Sequence, residues 1–300
     1  MRIERGQHIA FQMSQCLGDS LLAMIVVNNL VRNGYSVVVF GDYIQALQPW
    51  FANFDIRPSV KPEDARTTFT AFDVVLHVYP RNVVGDVRAW HPACLVMEEW
   101  PNFRQPKNMV ALHADLCRRD LGLADVVEDN GWTAPAGSSA RVHARRVILH
   151  PTASAKVKMW LPRRFLALAH ALRRLGYEPA FTVAPHERKD WLYLEDHGFP
   201  VPAFASLDDT ARWIHESGWF IGNDSGMAHL ASNFGVPSLS LTIRKRVAFR
   251  WRPGWTLSLS VLPLPLLPAR PLKDVFWRHF LPVSRVMKAF ARLRQLYADR

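Results

Sequence analysis

The sequence predicts an α/β protein made of two halves, each with its own parallel sheet. Short apolar runs alternate with amphipathic stretches along the chain, which is the pattern of βαβ units. The alternation pauses once, near residues 135–146, in the stretch NGWTAPAGSSARVHARR, which is typical of a linker or long loop. The chain has 300 residues, enough for two medium domains. We therefore expect one α/β domain over residues 1–140 and another over residues 146–282.

The N-terminal half begins with a strand, a polar loop and a helix. HIAFQ predicts the strand, and Asp19 to Asn33 predicts the helix because Gly34 stands where helices commonly end. Further buried strands are predicted in YSVVVFG, FDVVLHVY and ACLVM.

The C-terminal half repeats the alternation after the linker. Its first helix, Pro162 to Leu175, has Pro at its start, Gly176 at its end and apolar residues at helical spacing. The other predicted elements are strands in RVILH, EPAFTVA, WFIGN and PSLSL, and helices over His186 to His197 and Ser225 to Phe234.

The last segment, residues 283–300, predicts an amphipathic basic helix. Its apolar residues share one face, and Arg285, Lys288, Arg292 and Arg294 lie away from that face. Such a helix either packs on the core of its domain or, if the apolar face is free, lies on a membrane surface. The packed arrangement is the more ordinary one for a C-terminal helix, so we expect it here.

The net charge of +11 is concentrated in the last fifth of the chain. Residues 1–150 contain 15 basic and 15 acidic side chains, whereas residues 244–300 contain 13 basic and 2 acidic ones. A region of this kind attracts an anionic surface, substrate or polymer, although a basic face also serves solubility alone. The role of the proline-rich segment 261–271 within it is open.

The remaining composition excludes several classes. The three cysteines, Cys16, Cys94 and Cys117, are far apart, which argues against a disulfide framework or a zinc site and fits a reducing cytosol. We expect no signal peptide, because the N-terminus lacks a long apolar run, and SLSVLPLPLLP is too short to span a bilayer. Neither a dinucleotide-binding G-x-G-x-x-G motif nor a P-loop is present.

The stretch FIGNDSGMAHLAS places polar residues between a buried strand and a buried helix. Asp224 stands at or near the expected helix N-cap, and Ser225 and Gly226 offer backbone N–H groups that bind phosphate well. His229 follows one turn later, on the same helical face as Ser225. The alternative is a plain capped helix with a buried histidine, and the spacing alone slightly favours it.

Three other strand-to-helix junctions carry candidate residues. Asp19 is either a general base or a helix cap. Lys156 and Lys158 either bind a diphosphate or are solvated, and Glu187 either accepts ribose hydroxyls or complements a helix dipole. Parallel topology brings such junctions to one edge of each sheet, so we expect these residues to line one cleft.

Four motifs, LGDSLL, HPTAS…KMWLPRRFLALAHAL, APHE and GNDSGMAHLAS, together resemble those of the bacterial heptosyltransferases of glycosyltransferase family 9. The resemblance runs from about Ile9 to Pro237 and is thin between residues 45 and 145. It implies a GT-B fold, in which two Rossmann-like domains face each other across a cleft, with the acceptor on the N-terminal domain and the nucleotide sugar on the other.

The resemblance also implies roles for single residues. Asp19 matches the catalytic aspartate, Lys158 the lysine that contacts the diphosphate, and Glu187 the acidic residue that binds the nucleoside. The residues that match the block holding the donor's phosphates and sugar are Asp224, Ser225, Gly226 and His229. The acceptor-binding residues stay unknown, and the family's usual proline in the first helix is absent.

We therefore expect an inverting transferase that moves heptose from ADP-heptose onto a hydroxyl of a lipopolysaccharide-core acceptor. No D-x-D pair of the metal-binding kind is present, so a mechanism without metal or cofactor is expected. The expected partners are a nucleotide sugar and an anionic glycolipid or glycan, not nucleic acid, and the expected place is the cytoplasm, with peripheral contact to the inner membrane through the basic region. A GT-B sugar-nucleotide 2-epimerase and a non-catalytic nucleotide-sugar-binding protein are the alternatives.

Overall fold

The protein consists of two compact units, residues 1–136 and 137–300, each built on a five-stranded parallel sheet. The computed structural model describes residues 3–80, 83–265 and 276–300. Residues 266–271 of the proline-rich segment lie outside the described residues. None of the helices described is both long and apolar enough to cross a bilayer.

The first unit alternates short strands and helices. Its strands are β1 (His8–Gln12), β2 (Ser36–Phe40), β3 (Asp55–Arg57), β4 (Val74–His77) and β5 (Cys94–Val96), and its helices are α1 (Leu17–Arg32), α2 (Asp42–Gln45), α3 (Ala65–Phe69) and α4 (Met109–Arg119). The sheet order is β3-β2-β1-β4-β5, with every pair parallel.

This order creates a switch point between β1 and β4. The chain moves outward from β1 to β3 and then returns to the other side of β1, so the connections that leave β1 and β4 diverge. A crevice forms where such connections diverge, at the carboxyl ends of the two strands. Gln12 and His77 are paired in register at that end.

The second unit has the same alternation with a different order. Its strands are β6 (His143–His150), β7 (Glu178–Phe181), β8 (Ser217–Asn223), β9 (Ser238–Leu241) and β10 (Ser258–Val261), and its helices are α5 (Pro162–Arg174), α6 (Tyr193–Asp196), α7 (Leu207–His215), α8 (Gly226–Asn233), α9 (Lys245–Arg250) and α10 (Val283–Ala298). The order is β10-β9-β8-β6-β7, so the switch point lies between β6 and β8.

The C-terminal helix α10 packs on the core of the second unit. Val286, Phe290 and Leu293 are fully buried, and the Phe290 ring meets the Trp219 indole edge-on with centroids 5.4 Å apart. The packed arrangement expected from the sequence is confirmed. The apolar face of α10 is therefore occupied, and a membrane contact through that face is excluded.

Several elements differ from the sequence predictions. The helix predicted over His186 to His197 is wrong: a 3₁₀ turn, Arg188–Asp190, and the single-turn α6 stand there. The stretch buries Trp191 and Leu194, which are three residues apart. The 3₁₀ turn and the single-turn helix bury both side chains without a continuous helix. The helix α7 and the strand β10 were not predicted from the sequence.

Strand β8 runs parallel to β6 and close to it, and its two glycines differ in how much room they leave for a side chain. A Cβ on Gly218 would lie 2.1 Å from the backbone oxygen of Ala144, and one on Gly222 would lie 2.9 Å from the Cβ of His150. We expect Gly218→Ala to destabilise the protein by about 1–3 kcal/mol through overpacking, and Gly222→Ala by less, because its clash is milder. Urea unfolding of the two variants compares them, and equal losses would contradict this prediction.

Candidate functional site

The candidate site of the second unit lies where β6 and β8 end. His150 pairs in register with Gly222, so the loop after β6 and the Asp224-Ser225 turn leave the sheet side by side. Ser225 is the N-cap of α8 in an extended conformation, and its Oγ has no hydrogen-bond partner among the residues described. The first backbone N–H groups of α8, beginning at Gly226, therefore lie at the switch point. Such unpaired N–H groups at a helix N-terminus favour the binding of an anion.

Lys158 and Asp224 are brought together at this edge. The Lys158 Nζ lies 3.7 Å from Asp224 Oδ2, although 66 positions separate them in sequence. Burial raises the pKa of the Asp224 carboxyl above its ordinary value, and the nearby Lys158 ammonium opposes that rise. The pair places a half-exposed cation beside the start of α8, which the sequence-based proposal of a diphosphate site requires.

The loop that carries Lys158 is held by the side chain of Asn223. The Trp160 backbone N–H donates to Asn223 Oδ1 at 3.0 Å, and Asn223 Nδ2 donates to the Pro151 carbonyl at 2.7 Å. Asn223 is fully buried, so both bonds are shielded from water. The sequence analysis did not single out Asn223, because a polar residue at a strand end gives no sign of its distant partners.

Two indole N–H groups also connect this loop to the segment that precedes α10. The Trp160 Nε1–H donates to the Leu281 carbonyl at 2.9 Å, and the Trp277 Nε1–H donates to the Val157 carbonyl at 2.7 Å. Both tryptophans are fully buried. The loop between β6 and α5 is thus held on either side of Lys158, at Val157 and at Trp160, which limits the movement of the Lys158 backbone.

His229 and Glu187 lie on elements that begin at the same edge. His229 is 5% exposed, and its ring meets the Trp255 indole edge-on with centroids 6.3 Å apart. Glu187 is half-buried and accepts the Ala184 N–H at 3.1 Å through one carboxylate oxygen. This bond closes the turn after β7, so Glu187 has a structural function in addition to the proposed nucleoside-binding one.

Asp19 lies at the switch point of the first unit. It is in the first turn of α1, whose N-cap is Cys16, so Asp19 is not the cap of the helix. The Tyr79 hydroxyl donates to Asp19 Oδ1 at 3.3 Å, and the Ser14 hydroxyl lies 3.5 Å from Oδ2. Burial, and then the Asp19 charge, raise the pKa of Tyr79 well above its ordinary value, which keeps the phenol protonated and able to donate.

Comparison with known proteins finds a family model that is similar to the part of the chain that includes this edge. Residues 107–247 match the model of glycosyltransferase family 9 (heptosyltransferase). The resemblance predicted from the motifs is confirmed. Lys158, Glu187 and the Asp224–His229 block all lie inside the family 9 match, whereas Asp19 lies outside it.

A curated relative and two solved structures agree with the match. Lipopolysaccharide heptosyltransferase 3 of Escherichia coli is 29% identical over 150 residues, which are 44% of this chain and 44% of the relative, so the alignment spans less than half of either protein. The structure of a glycosyl transferase of family 9 from Veillonella parvula has a TM-score of 0.74 and 17% identity, with 98% of this chain and 99% of that one covered.

The structure of E. coli ADP-heptose lps heptosyltransferase II has a TM-score of 0.69 and 12% identity, with 97% and 99% of the two chains covered. At such low identity these structural likenesses concern the fold alone. The fold class predicted from the sequence, GT-B, is confirmed by them and by the two parallel sheets.

The two buried asparagines of this region allow a matched test of the Asn223 bonds. Asn233 is also buried, but neither atom of its amide group has a partner among the residues described. We expect Asn223→Ala to cost about 1–3 kcal/mol more than Asn233→Ala, since it leaves the Trp160 N–H and the Pro151 carbonyl unpaired. Denaturant unfolding measures the difference, and similar costs would show that the Asn223 bonds contribute little.

The pKa of Asp224 predicts a pH dependence of stability. A carboxyl whose pKa is raised on folding favours the folded state at low pH, and that contribution is lost as pH rises from the ordinary value of 3.8 through the raised pKa. Asp224→Asn cannot ionise, so we expect its stability relative to the wild type to increase as pH rises across this window. Chemical unfolding at several pH values tests this, with the exposed Asp64→Asn as control. Parallel pH profiles for Asp224→Asn and wild type would contradict the prediction.

Proposed function

We propose that the protein is an inverting, metal-independent glycosyltransferase that moves heptose from ADP-heptose onto a hydroxyl group of a lipopolysaccharide-core-type acceptor. The observation that carries the proposal is the Lys158–Asp224 pair beside the N-terminus of α8, at a sheet switch point and inside the family 9 match. The names of the relatives support the donor and acceptor, since they are a lipopolysaccharide heptosyltransferase and an ADP-heptose lps heptosyltransferase.

Binding of the donor follows from the charges at the edge of the second sheet. In the proposal the diphosphate of the donor lies against the first N–H groups of α8, from Ser225 and Gly226, and against the Lys158 ammonium. Glu187 accepts hydroxyls of the nucleoside, and Asp224 and His229 complete the site for the sugar and phosphates. Because helix amides and a lysine are already in place, they stabilise the negative charge that grows on the leaving diphosphate without reorganising.

The chemical step is a displacement at the anomeric carbon of the donor. The acceptor oxygen forms a bond to that carbon while the bond from the carbon to the diphosphate oxygen breaks, and ADP leaves. Asp19 takes the proton of the attacking hydroxyl as the new bond forms. Attack from the face opposite the leaving group inverts the anomeric configuration.

The proposed site of action is the cytoplasm, with peripheral contact to the inner membrane through basic side chains of residues 244–300. The charge of this region would be attracted to an anionic leaflet. The apolar face of α10 is buried and takes no part in this contact. The proposed contact depends on attraction between the basic side chains of the protein and the anionic lipid headgroups. Partial dissociation from anionic vesicles at high salt is expected of such binding.

The proposal predicts that removing the Asp19 carboxylate abolishes sugar transfer and leaves binding of the nucleotide unchanged. We expect Asp19→Ala to lower the rate of transfer from ADP-heptose by on the order of 100- to 10,000-fold, because the base is lost. The stabilisation of the protein by ADP in a thermal-shift assay should be unchanged, since the donor residues are intact. Asp64→Ala, which removes an exposed carboxylate of the same unit, is the control and should transfer at the wild-type rate.

Three outcomes would overturn parts of the proposal. Unchanged transfer by Asp19→Ala would refute its role as base, and loss of activity in EDTA that Mg²⁺ restores would refute metal independence. Turnover of the nucleotide sugar without acceptor would favour the 2-epimerase.

A thermal-shift panel of ADP, UDP, GDP and CDP tests which base of the nucleotide the protein prefers. We expect the largest shift for ADP.

A further inference from the structure

A cavity of about 320 Å³ lies at the carboxyl edge of the first sheet, at its switch point. The ends of β1 and β4 and the loops that follow them line it. The lining residues that matter here are Gln12, Ser14, Cys16, His77 and Tyr79. Two of them, Ser14 and Tyr79, are the residues whose hydroxyl groups lie against the Asp19 carboxylate. The cavity therefore adjoins the groups that hold the proposed base.

Gln12 carries a hydrogen-bonding atom that receives no bond from the part of the chain that the structure describes. The side chain is 1% exposed, and its Nε2 donates to the Met13 carbonyl at 3.2 Å. Its Oε1 meets no donor among the residues described. A buried amide oxygen without a donor is costly, and such atoms in folded proteins commonly receive a bond from water or from a ligand. Gln12 Oε1 is thus an acceptor prepared for a donor from the cavity.

Tyr79 constrains the direction of the Asp19 carboxylate. Its hydroxyl donates to Oδ1, and Ser14, near Oδ2, is itself fixed, because its Oγ accepts the Cys16 N–H and its carbonyl accepts the Ser20 hydroxyl. The Tyr79 ring meets the Phe103 ring edge-on with centroids 6.5 Å apart, which limits its movement. The carboxylate is therefore oriented by one residue of the loop after β1 and one residue of the loop after β4.

The proposed function already requires the acceptor to bind in the first unit beside Asp19. We propose that, in this cavity, Gln12 selects a polyhydroxylated acceptor by accepting a hydrogen bond from one hydroxyl, and that Tyr79 positions Asp19 for the hydroxyl that reacts. The inference rests on the proposed function and names residues for the acceptor, which the motifs left unknown. The Gln12 amide oxygen on the cavity wall, and the Asp19 carboxylate held by two of the lining residues, can each accept one O–H of a polyhydroxylated acceptor. Tyr79 acts through Asp19 and is a positioning residue.

The two residues are expected to affect different kinetic constants. Gln12→Leu loses a contact made to the bound acceptor, so its acceptor KM should rise at least tenfold while kcat stays within threefold of wild type. Tyr79→Phe loses only the hydroxyl that orients the base, so its kcat should fall at least tenfold while the acceptor KM stays within threefold. A residue with a purely structural role would not divide the constants in this way.

The experiment uses the full chain with ADP-heptose as donor and core oligosaccharide released from lipopolysaccharide by mild acid as acceptor. The matched controls are Gln45→Leu and Tyr43→Phe, two exposed positions of the same unit, which should leave both constants unchanged. Saturation-transfer NMR with the same oligosaccharide measures binding without turnover, and we expect Gln12→Leu to lose most of the wild-type signal. If Gln12→Leu folds poorly, Gln12→Met keeps the length of the side chain and replaces it.

The outcomes separate this inference from the proposed function. If Asp19→Ala abolishes transfer but Gln12→Leu keeps the wild-type acceptor KM and NMR signal, the transferase stands and the subsite is refuted. An unchanged kcat in Tyr79→Phe refutes the positioning role. If wild-type protein gives no NMR signal with the oligosaccharide, the cavity does not bind this class of acceptor, whatever the donor experiments show.

Discussion

The hydrogen bonds of the Asn223 amide group are the interaction on which the geometry of the proposed donor site depends. It joins the end of β8 to both ends of the loop that follows β6, through the Pro151 carbonyl and the Trp160 N–H. Without these bonds only the two indole bonds, from Trp160 and Trp277, would tie the loop that carries Lys158 to the rest of the unit, and more conformational entropy would have to be lost to place the ammonium. With them, the ammonium and the N-terminus of α8 are held at one place in advance, which is the condition for electrostatic stabilisation of a leaving group.

The first unit uses the same principle with different residues. There the Tyr79 hydroxyl joins the loop after β4 to the first turn of α1, which follows β1. In both units a side chain at or just after the end of one strand of the switch point bonds to the segment that follows the other strand, and the proposed reactive group lies on that segment. A crevice between diverging connections has few backbone contacts across it, so side-chain bonds of this kind determine its geometry.

The sequence predicted the candidate residues better than it predicted what supports them. Lys158 and Asp224 could be proposed because each follows an obvious buried strand, and parallel strands bring such positions to one edge. Asn223 and Tyr79 could not, because their contacts lie about 60 positions away and leave no local pattern. The wrong helix over His186 to His197 has a related cause: its residues favour a helix locally, but burial of Trp191 and Leu194 decides the conformation.

The support of the Lys158 loop by Trp277 and Leu281 has a consequence for the order of events during synthesis. These contacts come from residues more than 110 positions after the loop, so the nascent second unit can assemble β6 to β9 before the loop acquires its last partners. The proposed affinity for a diphosphate should therefore appear late on the ribosome, after the sheet has formed. A nascent chain that ends before Trp277 would have the strands of the proposed site but would lack both supports of the Lys158 loop.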